Sequence, residues 1–242
     1  PPPTEIYTND ESSAASYVYK RQLAHRLDGS GVNLVRIYNG LGPQDPPAPT
    51  ATRTPGLVLG VGRLVEKKGF DLLLETIADL APTRPEIRAV IVGDGDRRAA
   101  LETQAEHLGI ADRVTFTGPL PQHEVSHWLR KASVMAAPCR VGSDGNQDAL
   151  PTVLLEALGA GLPAVTTPVA GIPEIIDHDV EGLIVPCDDR AALTAAVASL
   201  LEDPVRRDAM SQAGPLKLAQ CFDRRHTITE LIDTFASRQL IS

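Results

Sequence analysis

A cluster of glycines and basic residues follows a short apolar run near position 60. Residues 60–70 read Gly-Val-Gly-Arg-Leu-Val-Glu-Lys-Lys-Gly-Phe, so one loop that opens a predicted helix holds Gly62, Arg63 and Lys68. Glycines let backbone N–H groups approach an anion, the helix N-terminus adds its dipole, and the two cations add charge. The loop therefore suits a phosphate, with a solvated turn carrying surface lysines as the alternative. A dinucleotide-binding GxGxxG pattern is not indicated, because its third glycine would fall at Val65.

Two carboxylates separated by seven residues mark a second segment, which runs from Asp148 into another predicted helix. Pro151 occupies a position that the first helical turn favours, and three leucines form the buried stripe of the helix. Glu156 lies within that helix beside apolar residues, where a carboxylate is costly to bury unless it has partners such as ribose hydroxyls. Helix capping by Asp148, and a surface charge or a structural hydrogen bond for Glu156, are the alternatives.

A third segment, residues 168–174, repeats this geometry, because it follows a predicted strand and opens a helix with a proline near the first turn. Helix N-termini at the carboxyl ends of parallel strands converge on one crevice, which is where open α/β sheets bind ligands. Two further loops, residues 93–96 and 117–120, end other predicted strands, although each alone could be a tight turn. The convergence predicts a single anion-binding crevice.

The elements that must position these loops alternate between strand and helix. Strands are predicted at residues 57–60, 89–92, 114–117, 133–137, 163–166 and 182–185. Predicted helices include residues 124–131, 151–160 and 189–202, with Asp188 or Asp189 as the cap of the last one. This alternation is typical of βαβ units with a parallel sheet. The predicted fold class is therefore α/β, with a doubly wound parallel sheet of six strands.

The first fifty residues differ from the rest. A predicted strand at residues 6–8, a helix near 12–26 and a strand at 34–38 make one βαβ unit, which cannot bury both faces of its strands. This unit is either the tail of another domain or an extension packed on the main one. Residues 43–56 contain five prolines and are predicted to be a linker. The main domain then spans residues 57–222, and a C-terminal helix occupies residues 223–242.

The composition excludes several classes of protein. With 242 residues, 43% of them hydrophobic, the chain can bury one sizeable core. A formal net charge of -8 argues against nucleic acid as the main partner. The three cysteines have no metal-binding spacing, which favours a reduced, cytoplasmic compartment and indicates no metal site. No apolar run approaches the roughly 20 residues of a membrane span, and the first residues do not resemble a signal peptide.

Taken in order, these motifs resemble those of glycosyltransferase family 4. The matching segments are Gly62-Arg63 through Lys68-Gly69, Val92-Gly93-Asp94-Gly95, Phe116-Thr117-Gly118, Asp148 through Glu156-Ala157, and Gly171-Ile172-Pro173-Glu174. The similarity in order and spacing extends from about Tyr7 to about Phe222. In that family an acidic pair separated by seven residues marks the donor site. Its first member is more often glutamate followed by glycine, whereas this chain has Asp148-Ala149, a departure that bears on sugar preference.

The resemblance implies a retaining glycosyltransferase of GT-B architecture, in which residues 57–222 form the Rossmann-like domain that binds the nucleotide-sugar donor. It implies that Arg63 and Lys68 bind the donor diphosphate and stabilise the departing nucleotide, while Asp148 binds hydroxyls of the donor sugar. These three are the implied catalytic residues. The implied donor-binding residues are Gly62, Gly93, Thr117, Gly118, Ala149, Leu150, Pro151, Thr152, Val153 and Glu156, the last of them for the ribose. No metal or cofactor is expected, because the two cations would take the role of a metal ion.

Family members have a second, N-terminal domain that carries the acceptor site, and residues 1–42 resemble only its last unit. The implied partners are a UDP, GDP or ADP sugar, that missing domain and an acceptor hydroxyl, with no nucleic acid. Any peripheral association with the inner face of the membrane would lie in the absent domain. The chain alone is expected to bind a nucleoside diphosphate but to transfer sugar poorly or not at all. A nucleotide-sugar epimerase or phosphorylase of the same architecture and a non-catalytic nucleotide-binding module are the competing hypotheses.

Overall fold

Six strands form one sheet in the part of the chain that the structure, a computed structural model, describes: residues 38, 40–42, 47–148 and 150–237. The strands are β1 (Leu57–Val61), β2 (Arg88–Val92), β3 (Val114–Gly118), β4 (Val134–Ala137), β5 (Ala164–Thr166) and β6 (Gly182–Ile184). Their order in the sheet is β3-β2-β1-β4-β5-β6, and every neighbouring pair is parallel. The predicted α/β fold with a doubly wound parallel sheet is confirmed, and each predicted strand is found.

Helices connect all of these strands. They are α1 (Phe70–Leu80), α2 (Arg98–His107), α3 (Gln122–Lys131), α4 (Thr152–Gly159), α5 (Ile172–Ile175), α6 (Arg190–Glu202), α7 (Pro204–Cys221) and α8 (Arg224–Ser237). Short 3₁₀ turns lie at Thr50–Thr52, Glu66–Lys68 and Ala111–Arg113. The predicted cap of α6 is Asp189, whose Oδ1 accepts a hydrogen bond from the Ala192 N–H at 2.9 Å.

Helix α7 is absent from the sequence prediction, because Gly214 and Pro215 lie in its interior and both disfavour helix there. Packing explains the glycine. A Cβ at position 214 would lie 2.9 Å from the Leu158 carbonyl oxygen, so α7 approaches α4 more closely than any larger residue would allow. Tertiary contact with α4 thus overrides local propensity in α7.

Two apolar cores lie on opposite faces of the sheet. Consecutive residues of β1, Val58 and Leu59, face different cores, as the alternation of side chains along a strand requires. One core contains apolar residues of α1, α2 and α6, and the other contains those of α3, α4 and α5. Because both faces are covered, the central strands are buried on both sides, as is usual for parallel sheets.

The strand order places a break in the winding between β1 and β4. From β1 the chain moves outward to β2 and β3, and α3 then carries it back so that β4 pairs with β1 on its other side. The loops that leave the carboxyl ends of β1 and β4 therefore run to opposite faces of the sheet. A crevice opens between such loops, and ligands bind there in doubly wound sheets. Residues 62–69 form one wall, and residues 138–148 and 150–151 form the other.

Arg53 joins the far ends of two helices beneath this crevice. Its Nη1 donates to the carbonyls of Leu129 and Ala132 at 2.9 Å, and its Nη2 donates to those of Ala160 and Gly161 at 2.7 and 2.8 Å. The last carbonyls of a helix have no partner within it, so one buried guanidinium satisfies the C-termini of both α3 and α4. Burial lowers the pKa of Arg53 to about 10. Part of the predicted linker therefore packs into the domain.

The described part of the N-terminal segment contacts the C-terminal end of the domain. The Tyr38 and Phe222 rings meet edge to face with centroids 5.2 Å apart, and the Leu41 N–H donates to the Phe222 carbonyl at 2.9 Å. Residues 1–37, which include the predicted βα elements of a second domain, lie outside the described residues. Helix α8 covers most of the predicted C-terminal helix.

Candidate functional site

The loop after β1 is shaped by its glycines. Gly69 adopts a left-handed conformation with φ of 66°, and a Cβ there would lie 2.0 Å from the Pro138 carbonyl oxygen. Only glycine therefore allows this loop to touch the end of β4. A Cβ at Gly62 would lie 3.0 Å from Lys68 Cε, so the Lys68 side chain crosses directly over Gly62. The predicted phosphate loop and its lysine are brought together.

Glycines also close the floor of the crevice at the ends of β1, β2 and β3. The Gly62 N–H donates to the Val92 carbonyl and the Gly93 N–H to the Gly118 carbonyl, each at 2.9 Å. A Cβ at Gly93 would lie 2.0 Å from the Gly62 carbonyl oxygen. The Thr117 hydroxyl donates to the Gly118 carbonyl at 2.8 Å, so this threonine already has a partner within its own loop.

Asp148 meets two lysines across the crevice. Its Oδ2 lies 2.5 Å from Lys68 Nζ and its Oδ1 lies 3.1 Å from Lys67 Nζ, with the three side chains only 11–15% exposed. Pro151, and not Asp148, occupies the N-cap position of α4, so the capping alternative for Asp148 is wrong. The aspartate instead provides the carboxylate of a half-buried ion-pair cluster.

The charge state of this cluster follows from its surroundings. Burial would raise the pKa of Asp148, but attraction to Lys68 and hydrogen bonds from both lysines outweigh it and hold the pKa below its usual range. Cys139 lies 3.9 Å from Asp148, and burial raises the pKa of this thiol to about 12. At neutral pH the aspartate is therefore ionised, and the cysteine is a neutral neighbour and not a nucleophile.

The loop that carries Asp148 is fastened to the turn that carries the lysines. Glu66 accepts hydrogen bonds from the Ser143 hydroxyl at 2.7 Å and from its N–H at 3.2 Å. The Arg140 N–H donates to the Lys67 carbonyl at 2.9 Å. Lys67 Nζ also lies 3.2 Å from the Asn146 side-chain oxygen. All these contacts join the two walls of the crevice, so they fix the positions of the two lysines relative to Asp148.

Glu156 lies on the same helix but in a different environment. Burial raises the pKa of its carboxyl, and a hydrogen bond with the Gln122 side chain only partly offsets this effect. No ion pair involves Glu156 within the described part of the chain. Gln122 begins α3, immediately after the loop that leaves β3. Glu156 therefore faces the β3 side of the crevice, where a hydroxyl-bearing ligand could replace the missing partners.

The N-terminus of α4 faces Asp148. Its first residue is Thr152, whose side chain is exposed. The N–H groups of Thr152 and Val153 have no partner within the helix, whereas the Leu154 N–H donates to the Pro151 carbonyl at 3.0 Å. Leu150 and Val153 are half-buried beside these groups. Ala149 lies outside the described residues. The end of α4 thus offers backbone donors close to the cluster, as an anion or sugar site requires.

Arg63 and the third motif complete the list of predicted residues. Arg63 is exposed at the mouth of the loop and pairs with no carboxylate in the ranges that the structure covers. Helix α5 has only four residues, and Glu174 accepts a hydrogen bond from the Tyr38 hydroxyl. The motif at residues 171–174 therefore contacts the N-terminal segment.

Three contact residues were missed by sequence reasoning. Lys67 and Asn146 contact the predicted aspartate cluster, and Gln122 contacts Glu156. A signal existed for Lys67, because it is one half of a lysine pair within a three-residue turn. Gln122 and Asn146 lie in stretches with no distinctive pattern.

None of the helices in the described ranges combines the length and apolar character that crossing a bilayer requires. Within the same ranges, no three His, Cys, Asp or Glu side chains come together as a group that could hold a metal ion.

Comparison with known proteins places the chain in a family. A family model described as glycosyl transferases group 1 matches residues 44–217. The amylovoran biosynthesis glycosyltransferase AmsK of Erwinia amylovora is 35% identical over 150 residues, which are 62% of this chain and 37% of that protein. A GDP-mannose-dependent alpha-(1-6)-phosphatidylinositol monomannoside mannosyltransferase of Mycolicibacterium smegmatis is 36% identical over 159 residues, 65% of this chain and 42% of that protein. Both alignments thus span less than half of the relative.

Solved structures agree on the fold. Sucrose-phosphate synthase from Thermosynechococcus elongatus superposes with a TM-score of 0.75 at 20% identity, covering 93% of this chain and 57% of that one. Anabaena HepE in complex with UDP and glucose gives a TM-score of 0.73 at 21% identity, covering 93% and 61%. The match of residues 44–217 extends over every strand of the sheet and both walls of the crevice. The chain therefore belongs to the glycosyl transferases group 1 family.

Proposed function

We propose that this chain forms the donor half of a retaining glycosyltransferase and binds a nucleoside diphosphate sugar in the crevice between β1 and β4. The observation that carries the proposal is the contact of Lys68 with Asp148 across the break in strand order, beside the N-terminus of α4. It brings cations, a carboxylate and backbone donors to the position where doubly wound sheets bind ligands. The family relationship supports the same conclusion.

Each group has a role in sugar transfer. The bond between the sugar C1 and the diphosphate oxygen breaks, and its electron pair leaves with the nucleoside diphosphate. The acceptor hydroxyl bonds to C1 on the same face and gives its proton to the departing diphosphate. Lys68 and the exposed Arg63 stabilise the charge that develops on the diphosphate, a task that elsewhere falls to a metal ion. Asp148 accepts hydrogen bonds from sugar hydroxyls, and Glu156 accepts them from the ribose.

Glu156 and Asp148 do not form the acid and nucleophile pair of a glycosidase. That scheme needs two carboxyl groups on either side of one glycosidic bond. Here Asp148 is paired with lysines that suit phosphate, whereas Glu156 faces Gln122 near the loop after β3. Leaving-group stabilisation is therefore the catalytic contribution of this half, and we place the acceptor in a second domain.

Calorimetric titration with UDP, GDP and ADP tests the donor site. One of these should bind, and Lys68→Met and Arg63→Met should each weaken it by roughly 10- to 100-fold, the effect of losing a hydrogen bond to a charged group. Lys131→Met is the matched control, because Lys131 lies over the Trp128 ring at the C-terminal end of α3, away from Gln122 and the crevice. EDTA should leave the affinity unchanged. Binding that survives the double substitution at Arg63 and Lys68 would contradict the phosphate assignment.

Incubation with the matching nucleotide sugars tests the reaction class. A retaining transferase that lacks its acceptor is expected to release the nucleoside diphosphate slowly, together with a sugar of unchanged anomeric configuration. NMR monitors both products. Appearance of an epimeric nucleotide sugar would instead favour the epimerase hypothesis.

A further inference from the structure

Lys67 contacts the site without belonging to the proposed set of phosphate ligands. Its Nζ lies 3.1 Å from Asp148 Oδ1 and 3.2 Å from the Asn146 side-chain oxygen, and its side chain is 11% exposed. Its carbonyl oxygen accepts the Arg140 N–H at 2.9 Å. Lys67 is therefore fixed to the β4 wall at both its main chain and its ammonium group.

Lys68 is placed differently. Its only described ion pair is with Asp148, and its Cε crosses over Gly62, so its ammonium group already borders the phosphate loop. A diphosphate that enters this loop competes with Asp148 for Lys68, and the two anions repel each other where solvent is largely excluded. Without another cation, the bound donor would leave Asp148 half-buried and unpaired, which is costly.

We propose that Lys67 is a positioning residue that keeps Asp148 paired and in place while the donor diphosphate takes Lys68. This inference rests on the proposed function. The pair of adjacent lysines then divides two tasks: Lys68 turns to the phosphate, and Lys67 stays with the carboxylate that receives the sugar. Asp148 competes with the phosphates for Lys68, and Lys67 weakens that competition.

A double-mutant cycle measures this division directly. Calorimetry is performed with the nucleoside diphosphate that binds best, on wild type, Lys67→Met, Asp148→Asn and the double variant. Lys67→Met should weaken binding by about fivefold, within the range of coupling between contacting residues, because Asp148 then holds Lys68 more tightly. Asp148→Asn should strengthen binding by a similar factor. In the Asp148→Asn background, Lys67→Met should change the affinity by less than about twofold.

The cycle separates positioning from direct phosphate contact. If Lys67 touched the phosphate itself, Lys67→Met would weaken binding equally with and without the Asp148 charge, and the proposal would be overturned. Lys67→Arg keeps the charge and should restore wild-type affinity to within about twofold, which a merely structural effect of the Met variant would not predict. Lys131→Met controls for the loss of one positive charge.

Two safeguards keep the outcome interpretable. Circular dichroism and thermal unfolding check that each variant folds, and Lys67→Gln provides a second neutral variant with the same expected loss. Failure of the wild-type chain to bind any of the three nucleoside diphosphates would refute the proposed function. Tight binding by wild type together with additive effects of Lys67→Met and Asp148→Asn would refute only the role of Lys67.

Discussion

Asp148 and Glu156 lie eight positions apart on one segment, yet their surroundings are opposite. Asp148 contacts two lysine ammonium groups, which hold its pKa below the usual range despite its burial. Glu156 has a hydrogen-bond partner in Gln122 but no ion pair among the described residues, and burial raises its pKa. The two carboxylates therefore have opposite electrostatic environments.

The difference separates two kinds of recognition. A carboxylate that stays ionised between cations belongs where charges of both signs meet, as they do beside a diphosphate and its sugar. A carboxylate without a cation is stabilised beside neutral hydroxyls, which donate hydrogen bonds without adding charge. Sequence spacing alone cannot distinguish the two, because both residues are acidic and both lie next to apolar neighbours.

The largest expected effect is at Arg53, which links the C-terminal ends of α3 and α4. Arg53→Met removes the guanidinium that satisfies four carbonyls at the ends of α3 and α4, and should lower the free energy of unfolding by about 3 kcal/mol. Urea denaturation at pH 7.5 measures this loss. Arg53→Lys is the matched control, because one ammonium group cannot reach both helix ends, and an intermediate loss is expected.

Arg53→Met also tests whether the contrast between the carboxylates is local. Arg53 contacts neither Asp148 nor Glu156 directly, so substitutions at those positions should have the same effect with and without Arg53. A change of more than about 0.5 kcal/mol in either effect would mean that the placement of α4, and not the immediate partners, sets the environment of that carboxylate.

A smaller effect is expected at Asp148. Asp148→Asn leaves Lys67 and Lys68 without their anion and should lower the free energy of unfolding by about 2 kcal/mol. This is less than the full loss of a buried partner, because the amide oxygen still accepts a hydrogen bond. Asp112→Asn, at an exposed aspartate in a 3₁₀ turn, should change it by less than about 0.5 kcal/mol. Equal losses at the two positions would show that the lysine cluster adds no stability.

Local sequence patterns predict much of this fold. Short apolar runs bounded by glycine, proline or charged residues predict all six strands, and the rule that ligands bind at the carboxyl ends of parallel strands predicts that Lys68 and Asp148 share one crevice. Gly62, Gly93 and Gly69 are predictable as turn glycines, but the atoms that exclude a Cβ there are visible only in the folded chain.

The rest depends on contacts between distant segments. The contact of Lys67 with Asp148 joins residues about eighty positions apart and is set by the fold of an irregular loop, for which no periodic pattern exists. The sequence does not predict α7, because Gly214 disfavours helix locally and its small size is required only by the close contact with α4. Arg53 looks like part of a linker until the carbonyls that it satisfies are known.

The smallest effect is expected at Glu156, and its dependence on pH sharpens the contrast most. Glu156→Gln removes a charge that burial disfavours, so at pH 7.5 the free energy of unfolding should change by less than about 0.5 kcal/mol or rise slightly. A loss above about 1 kcal/mol at pH 7.5 would mean that the Glu156 charge has a stabilising partner.

The signs follow from the direction of each pKa shift. The folded pKa of Glu156 lies above its unfolded value of about 4.3. The wild type therefore loses stability relative to Glu156→Gln as the pH rises from the unfolded pKa through the folded pKa. The folded pKa of Asp148 lies below about 3.9, so its stabilisation is complete above that pH and disappears only as the pH falls through the folded value. Urea titrations of wild type, Glu156→Gln and Asp148→Asn between pH 4 and 7.5 should therefore give a difference that grows with pH for Glu156 and stays nearly flat for Asp148. Parallel profiles for the two variants would mean that the two carboxylates share one environment.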